Sequence, residues 1–521
     1  MNSILIPFER NVVKKDHRKV RLKFALAYPS PYSVGISNLA VRLLYELINS
    51  REDCLCERFF FSGFRVPPVS LESNLPLGAF DVVGFSLQHE IDYLRMLDML
   101  DSSSIELFAS RRKRPVVIAG GPAVSSNPSP LEDFVDLFVV GESEPVLDYL
   151  LDRLSEGDGP KQLAGSRPGL YAPGVEVARG IVDSLEDAPH AVRQVHPVSG
   201  QGFSSTFLLE VSRGCNRGCR FCLECFLYRP KRERSYRKVT EILEQGLPLS
   251  GLDRVTCISS AFFDHREICE ILAWMRDRHV KYSLPSVRVS KKGSDLADLL
   301  AAGGQRSITI APESPSSRLR GVINKPLDES EMAAFLEASR RAGIRSLKLY
   351  FMVGIPGEAM TDLELLRPML AGAISAGFDP RSIHVSVNPM IPKGNTPFQW
   401  TRMVSEPEYR SRVSRMREIC SDLGIRRFES MDYRWGAVQS FLSVSGREAS
   451  SALLIALKDV SEGGQGDLGT WRRVLKGIKK DFGTMQPNYS EDEPLPWESI
   501  KGGPGRSFLL HEYRKAIGGQ G

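Results

Sequence analysis

Four cysteines fall within eleven residues, Cys215, Cys219, Cys222 and Cys225 of GCNRGCRFCLEC, in a chain of 521 residues that holds nine. Thiolates on loops at such spacings bind iron–sulfur clusters or zinc. Cys215, Cys219 and Cys222 are separated by three and then two residues, and Gly214 and Gly218 let the backbone fold tightly around a large inorganic ligand. Three thiolates cannot saturate a four-iron cubane, so one iron would stay open to a substrate or cofactor. Tetrahedral zinc with Cys225 as the fourth ligand is the alternative.

A ligand loop of this kind must be carried by rigid elements. It follows the apolar run STFLLEVSRG, the first of a series continued by RVTCISS, KYSLPSVRVS, SITIAPES, SLKLYFMVGIPGE and SIHVSVNPMIP, with helical stretches between them. About six βα units imply a partial parallel barrel over residues 203–400, with its chemistry at the C-terminal strand ends. Residues 1–165 alternate in the same way through VRLKFALAYP, FDVVGFSL, RPVVIAGGP and LFVVGES, which predicts an α/β, doubly wound, Rossmann-like ligand-binding domain. Residues 166–202, rich in Gly, Pro and Ser, read as a connector with some strand content, and 401–521 as a small, mainly helical C-terminal domain.

Bulk properties narrow the partners. A net charge of +5 gives no reason to expect nucleic acid. No apolar run reaches the ~18 residues that cross a bilayer, and MNSILIPFERNVVKKDHRK lacks the basic-then-apolar order of a signal peptide, so a cytoplasmic protein with no membrane partner is expected. The odd cysteine count with one dense cluster points to reduced thiols rather than a disulfide framework.

CNRGCRFC resembles the CxxxCxxC motif of the radical S-adenosylmethionine (SAM) enzymes, including an aromatic residue, Phe221, before the last cysteine. The resemblance runs from Ser204 to Pro397 and implies a [4Fe-4S] cluster on Cys215, Cys219 and Cys222. SAM would bind its open iron, and an external electron donor would drive cleavage to a 5'-deoxyadenosyl radical. The motif does not require Cys225, which reads as a bystander thiol. Arg288 in LPSVRVS, and Glu313 and Arg318 in TIAPESPSSRLRGVINK, resemble strand-end contacts to SAM. A guanidinium fork suits a carboxylate, and Glu313 would accept ribose hydroxyls. Gly354 of GIPGE would let backbone approach adenine. Salt bridges on a barrel rim are the alternative for the charged residues, and the basic run RPKRERSYRK reads as a solvated face, with gripping substrate or balancing cofactor phosphate as its alternative.

A doubly wound domain ahead of such a barrel is similar to the cobalamin-binding domains of the B12-dependent members. Ser86, Leu87 and Gln88 of GFSLQ, Gly120 and Gly121 of IAGGP, and Gly141 and Glu142 of VVGESE end strands, where ligands of such sheets bind. The histidine loop that ligates cobalt in many of those domains has no counterpart, since PSPYSVGISNLA follows the first strand. Cobalamin would therefore bind without a histidine below the metal; a domain with no cofactor is the alternative. The two cofactors together imply a B12-dependent C-methyltransferase acting on an unactivated sp3 carbon.

The blocks PYSVGISNLA, APESPSSRLRGVINK and NPMIPKGNTPFQW are similar to a group of archaeal and bacterial members. Within that group, general likeness and approximate size favour the member with a protein or peptide substrate, the Cα of a glutamine in methyl-coenzyme M reductase, and so a post-translational modification tied to methanogenesis. Tyr350, on the fifth barrel strand, is the candidate catalytic side chain, with packing as its other role. A radical SAM enzyme acting on RNA or a small molecule without methyl transfer is the competing expectation. A methylthiotransferase would need a three-cysteine set that Cys54 and Cys56 do not supply.

Overall fold

Val-, Ile- and Phe-rich runs build a parallel sheet in the N-terminal part of the computed structural model, which describes residues 8–200, 202–285, 287–289 and 291–518. The strands lie in the order Cys54–Phe60, Leu22–Tyr28, Val82–Ser86, Val116–Gly120, Leu137–Val139, and Leu170–Tyr171 is added antiparallel at the edge. Phe24 aligns with Cys56 on one side and Val82 on the other. Helices Leu39–Ser50 and Glu144–Ser155 bury Val41, Tyr45, Ile48, Leu147 and Leu150 in one core with Leu22, Phe24 and Leu26. This is the expected doubly wound arrangement.

A second set of parallel strands follows. Phe207–Glu210, Arg254–Ile258 and Lys281–Ser283 form one ladder; Ser307–Glu313, Ser346–Val353, Ile383–Pro389 and Arg427–Ser430 form the next. The Val287 amide donates to the Thr309 carbonyl at 2.9 Å between them. Burial alternates along Ser346–Val353: Leu347, Leu349, Phe351 and Val353 are buried, whereas Lys348, Tyr350 and Met352 are half-buried on the other face. These staves are the expected partial barrel, lengthened by Arg427–Ser430, a strand the sequence reading had left outside it.

The division of the chain differs from the linear one expected. One unit comprises Met1–Ser205, Gln245–Leu252 and Phe441–Gly503; the other comprises Thr206–Glu244, Asp253–Ser440 and Pro504–Gly521. Residues 401–521 are therefore shared out rather than forming a domain, because each piece has its apolar or hydrogen-bonding partner elsewhere. Helix Ala449–Ser461 buries Leu453, Ala456 and Val460 and packs against helix Asp92–Ser102 of the first unit. Asn127 Nδ2 donates to the Ser443 and Ser445 carbonyls at 3.1 and 2.7 Å. The connector also joins this unit, since Val177–Ala178 pairs with Ile500–Lys501 and His196–Pro197 with Glu9–Arg10. Among the described residues, no helix is long and apolar enough to cross a membrane.

Arg58, fully buried within strand Cys54–Phe60 between Glu57 and Phe59, joins Glu9 at 2.6 Å and Glu72 at 2.7 Å beneath the Tyr45 ring. A buried pair is costly chiefly when one partner is removed. Arg58→Met leaves two buried carboxylates without a cation and is expected to cost about 3–5 kcal/mol. Chemical unfolding followed by circular dichroism checks this; an unchanged midpoint would show the network to be dispensable.

Candidate metal centre

The cysteine loop leaves strand Phe207–Glu210 and is closed by a short antiparallel pairing of Ser212–Arg213 with Arg232–Glu233. Gly214 sits at φ +75°, and a Cβ there would meet the Tyr228 carbonyl oxygen at 2.0 Å, so only glycine fits the turn. Arg232 donates from Nε to the Pro230 carbonyl at 3.0 Å and from Nη2 to the Tyr228 carbonyl at 3.1 Å. Arg232 and Arg234 are buried, and Arg234 approaches Glu210 at 3.6 Å. The basic run is thus in part internal scaffold, which corrects the solvated-face reading. Buried guanidiniums satisfy carbonyls that the loop leaves unpaired.

The far side of the loop is fastened to the helix Ser317–Val322. The Arg220 amide donates to the Ile323 carbonyl at 3.0 Å, and Asn324 Nδ2 donates to the Gly218 carbonyl at 3.0 Å. Held this way, Cys215, Cys219 and Cys222 line one cavity of about 540 Å³ together with Cys225, Arg288, Glu313 and Lys325. Cys225 is buried in the same wall, and its thiol pairs with the other three. The Cys219 thiol is drawn down to about 7, first by Cys225 and then, against burial, by the cationic Lys325 and Arg288. Cys215 and Cys222 are pushed up, chiefly by pairing with Cys225 and by burial.

Glu313 reaches the cavity through a backbone irregularity. The ladder to Ser346–Val353 slips between Ile310 and Glu313, and Glu313 takes φ +66°. A bulge of this kind re-aims one side chain at a strand end. Its carboxylate pairs with Lys325 Nζ at 2.8 Å, and that ammonium lies 5.9 Å from the Phe221 ring centroid. Lys325 was missed in the sequence because nothing in the spacing of RGVINK separates a cavity cation from a surface one.

Other expected residues lie elsewhere. Arg318 is half exposed, donating to Asp362 at 2.5 Å and the Gly357 carbonyl at 2.9 Å. Gly354, at φ +94°, packs so closely on Val404 that a Cβ would meet Cγ1 at 2.8 Å. Tyr350 is engaged with Lys348, whose Nζ lies 4.8 Å from its ring, and Lys348 pairs with Glu429 at 3.0 Å. None of these three lines the cysteine cavity.

In the first unit, the Ser86 and Gly120 strand ends are adjacent. The Leu87 amide donates to the Gly120 carbonyl at 2.8 Å, and Gly121, at φ +109°, lets Leu87 close over it. Gln88 Nε2 donates to Ser86 Oγ at 3.1 Å. Gly141 and Glu142 have another job: Gly141 bridges to Gly180, where a Cβ would meet the carbonyl oxygen at 2.3 Å, and buried Glu142 accepts the Val182 amide at 2.6 Å. The connector covers this strand end, so these two residues hold the chain rather than face a ligand.

Comparison with known proteins bears on the same site. A family profile described as the Radical SAM superfamily matches residues 209–367, and one described as the N-terminal part of radical SAM proteins matches 40–163. The uncharacterized protein MJ0966 of Methanocaldococcus jannaschii is 31% identical over 380 residues, covering 72% of this chain and 78% of that protein. The chain belongs to the radical SAM family. Two solved structures share its fold. TsrM of Kitasatospora setae, a radical SAM methyltransferase with cobalamin and a [4Fe-4S] cluster bound, superposes at 14% identity and a TM-score of 0.55, over 88% of this chain and 100% of that one. OxsB, a cobalamin-dependent SAM radical enzyme with aqua-cobalamin bound, does so at 14% identity and 0.54, over 96% of this chain and 80% of that one.

The radical SAM family's resident group is a [4Fe-4S] cluster that binds SAM, and the donors present fit it. Three thiols, those of Cys215, Cys219 and Cys222, line one cavity wall. A cubane takes such a set, since each thiolate binds a different iron and the fourth iron stays open. Glu313, Arg288 and Lys325 add polar groups of both signs beside it.

Two expected outcomes follow from this geometry. Gly214→Ala forces a left-handed alanine against a fixed carbonyl, costs about 2–4 kcal/mol and lowers the iron bound per chain after anaerobic reconstitution; a variant that loads normally would contradict the tight turn. Glu358 accepts the Gly354 amide at 2.7 Å and pairs with Arg412 at 3.1 Å, yet burial pushes its carboxyl up to about 7. Since that lies above the unfolded value of 4.5, its contribution is complete below pH 4.5 and is lost as pH rises through 7. Glu358→Gln should flatten that fall, about 3 kcal/mol, in urea-unfolding midpoints compared at pH 4.5 and 7.5.

Proposed function

We propose that this radical SAM protein is a cobalamin-dependent methyltransferase that methylates an unactivated sp3 carbon. The observation that carries the reading is the pairing, in one chain, of a doubly wound parallel sheet with a barrel whose cavity gathers Cys215, Cys219 and Cys222. It is supported by the fold shared with TsrM and OxsB, whose descriptions name cobalamin.

The residues divide the work as follows. Cys215, Cys219 and Cys222 would hold the cluster as thiolates. Glu313 would accept hydroxyls and Arg288 would meet a carboxylate, with Lys325 keeping the Glu313 anion oriented. Phe262, Val287 and Ile310 give the cavity apolar walls that exclude water from a radical. In the first unit, Ser86, Gln88, Gly120 and Gly121 remain at the strand ends where cobalamin would sit, with no histidine in the PSPYSV turn to bind it from below. When bound, these groups supply reductive SAM cleavage and methyl transfer.

The test is anaerobic reconstitution with iron, sulfide and hydroxocobalamin, followed by iron and corrin assays and measurement of 5'-deoxyadenosine with SAM and a reductant. Bound cluster, bound corrin and cleavage abolished in a Cys215→Ala, Cys219→Ala, Cys222→Ala variant are expected. A peptide carrying the target glutamine of methyl-coenzyme M reductase is the first substrate to assay, because general likeness and approximate size favour that member of the group. Cleavage without corrin would remove methyl transfer and leave radical chemistry on RNA or a small molecule; a colourless zinc protein without cleavage would overturn both.

A further inference from the structure

Arg220 stands inside CRFC, between Cys219 and Cys222, yet its side chain is not part of the cavity wall. It is 4% exposed. Nη1 donates to the carbonyls of Gly321 and Val322 at 3.0 and 2.7 Å, in the last turn of helix Ser317–Val322. Nε and Nη2 meet Glu512 Oε2 at 3.0 and 2.9 Å, and the Glu512 side chain is 16% exposed. Glu512 belongs to helix Arg506–Gly518, which is seated by Tyr513 against Trp400, ring centroids 5.6 Å apart, and by Ala516 in a core with Leu319, Ile323 and Phe398 that also receives Phe221. A helix some 290 residues downstream is thus tied to the cysteine loop, |i−j| being 292 for this pair, by one shielded ion pair and an apolar seat.

We propose that Glu512 sets the reduction potential of the cluster held by Cys215, Cys219 and Cys222, acting as a positioning residue through Arg220. The proposal rests on the radical SAM reading of the cysteine loop. A reduced cluster carries one more negative charge than an oxidised one, so a nearby cation favours reduction and a nearby anion opposes it. In a shielded interior such fields are weakly damped. Arg220 follows Cys219 directly, and Glu512 neutralises that guanidinium while keeping it on the Gly321 and Val322 carbonyls. Removing the carboxylate charge leaves an uncompensated cation behind the loop that carries Cys219 and Cys222, and raises the potential. The device would let the protein hold its cluster at a low potential despite Arg288 and Lys325 in the same cavity.

The experiment is a potentiometric titration with dithionite and mediators on reconstituted full-length protein, following the electron paramagnetic resonance signal of the reduced cluster. Wild type, Glu512→Gln, Glu512→Asp and Arg220→Gln are compared at equal iron content. The expected result is a higher midpoint for Glu512→Gln, a midpoint near wild type for Glu512→Asp, and a lower one for Arg220→Gln. A role confined to holding the helix would change iron content or stability and leave the midpoints together. An unchanged or lowered midpoint in fully loaded Glu512→Gln, or an equal shift in Glu512→Asp, overturns the proposal. Should Arg220→Gln not load iron, the two Glu512 variants decide alone. Wild-type protein that takes up no iron fails earlier, in the iron assay, and would overturn the cluster reading itself.

Discussion

A loop that must turn three thiols toward one cavity has almost no secondary structure to satisfy its own backbone, and every inward carbonyl and amide needs a partner from outside. Here the partners come from two directions. Arg232 takes the Tyr228 and Pro230 carbonyls on one side, and Ile323 and Asn324 take the Arg220 amide and the Gly218 carbonyl on the other. Gly214 makes the arrangement possible, since the Tyr228 carbonyl occupies the space of any side chain there. The rest of the second unit is organised around keeping these partners in place. The first strand delivers the loop, the helix Ser317–Val322 receives it, and the C-terminal helix closes behind it.

The same economy governs the cavity's charges. Glu313 is delivered by a ladder slip and a left-handed backbone, a conformation that costs free energy and persists only when its surroundings enforce it. Its backbone stays in the ladder opposite Phe351, and its carboxylate meets Lys325, which follows the helix that braces the loop. Loop, acid and base are therefore one mechanical assembly, so that a change in any of them is felt by the cysteines.

How much of this could be read from the sequence depends on how local each interaction is. The strands and the cysteine loop announce themselves in apolar runs and short spacings, so both sheets were legible, whereas the distant segments each unit takes up were not. Arg288 and Glu313 were found because they close strands, where chemistry gathers in this architecture. Arg318 and Gly354 satisfy the same rule yet turn to Asp362, Gly357 and Val404 instead, because a strand end specifies a neighbourhood and not a direction. Gly141 and Glu142 were read as ligand-facing; their partners, Gly180 and Val182, lie in the connector, whose weak pattern gives no hint of where it folds back. Arg220 and Arg232 look like any surface arginine until the carbonyls they serve are known.

The interleaving of the two units has a consequence for how the protein is made. The first unit needs helix Ala449–Ser461 to cover Asp92–Ser102, and the second needs Arg506–Gly518 behind its cysteine loop. Both pieces lie far downstream of the elements they cover, with sequence of the other unit in between. Each sheet therefore keeps apolar surface uncovered until its distant piece has been made, and neither unit can close as one uninterrupted stretch of chain.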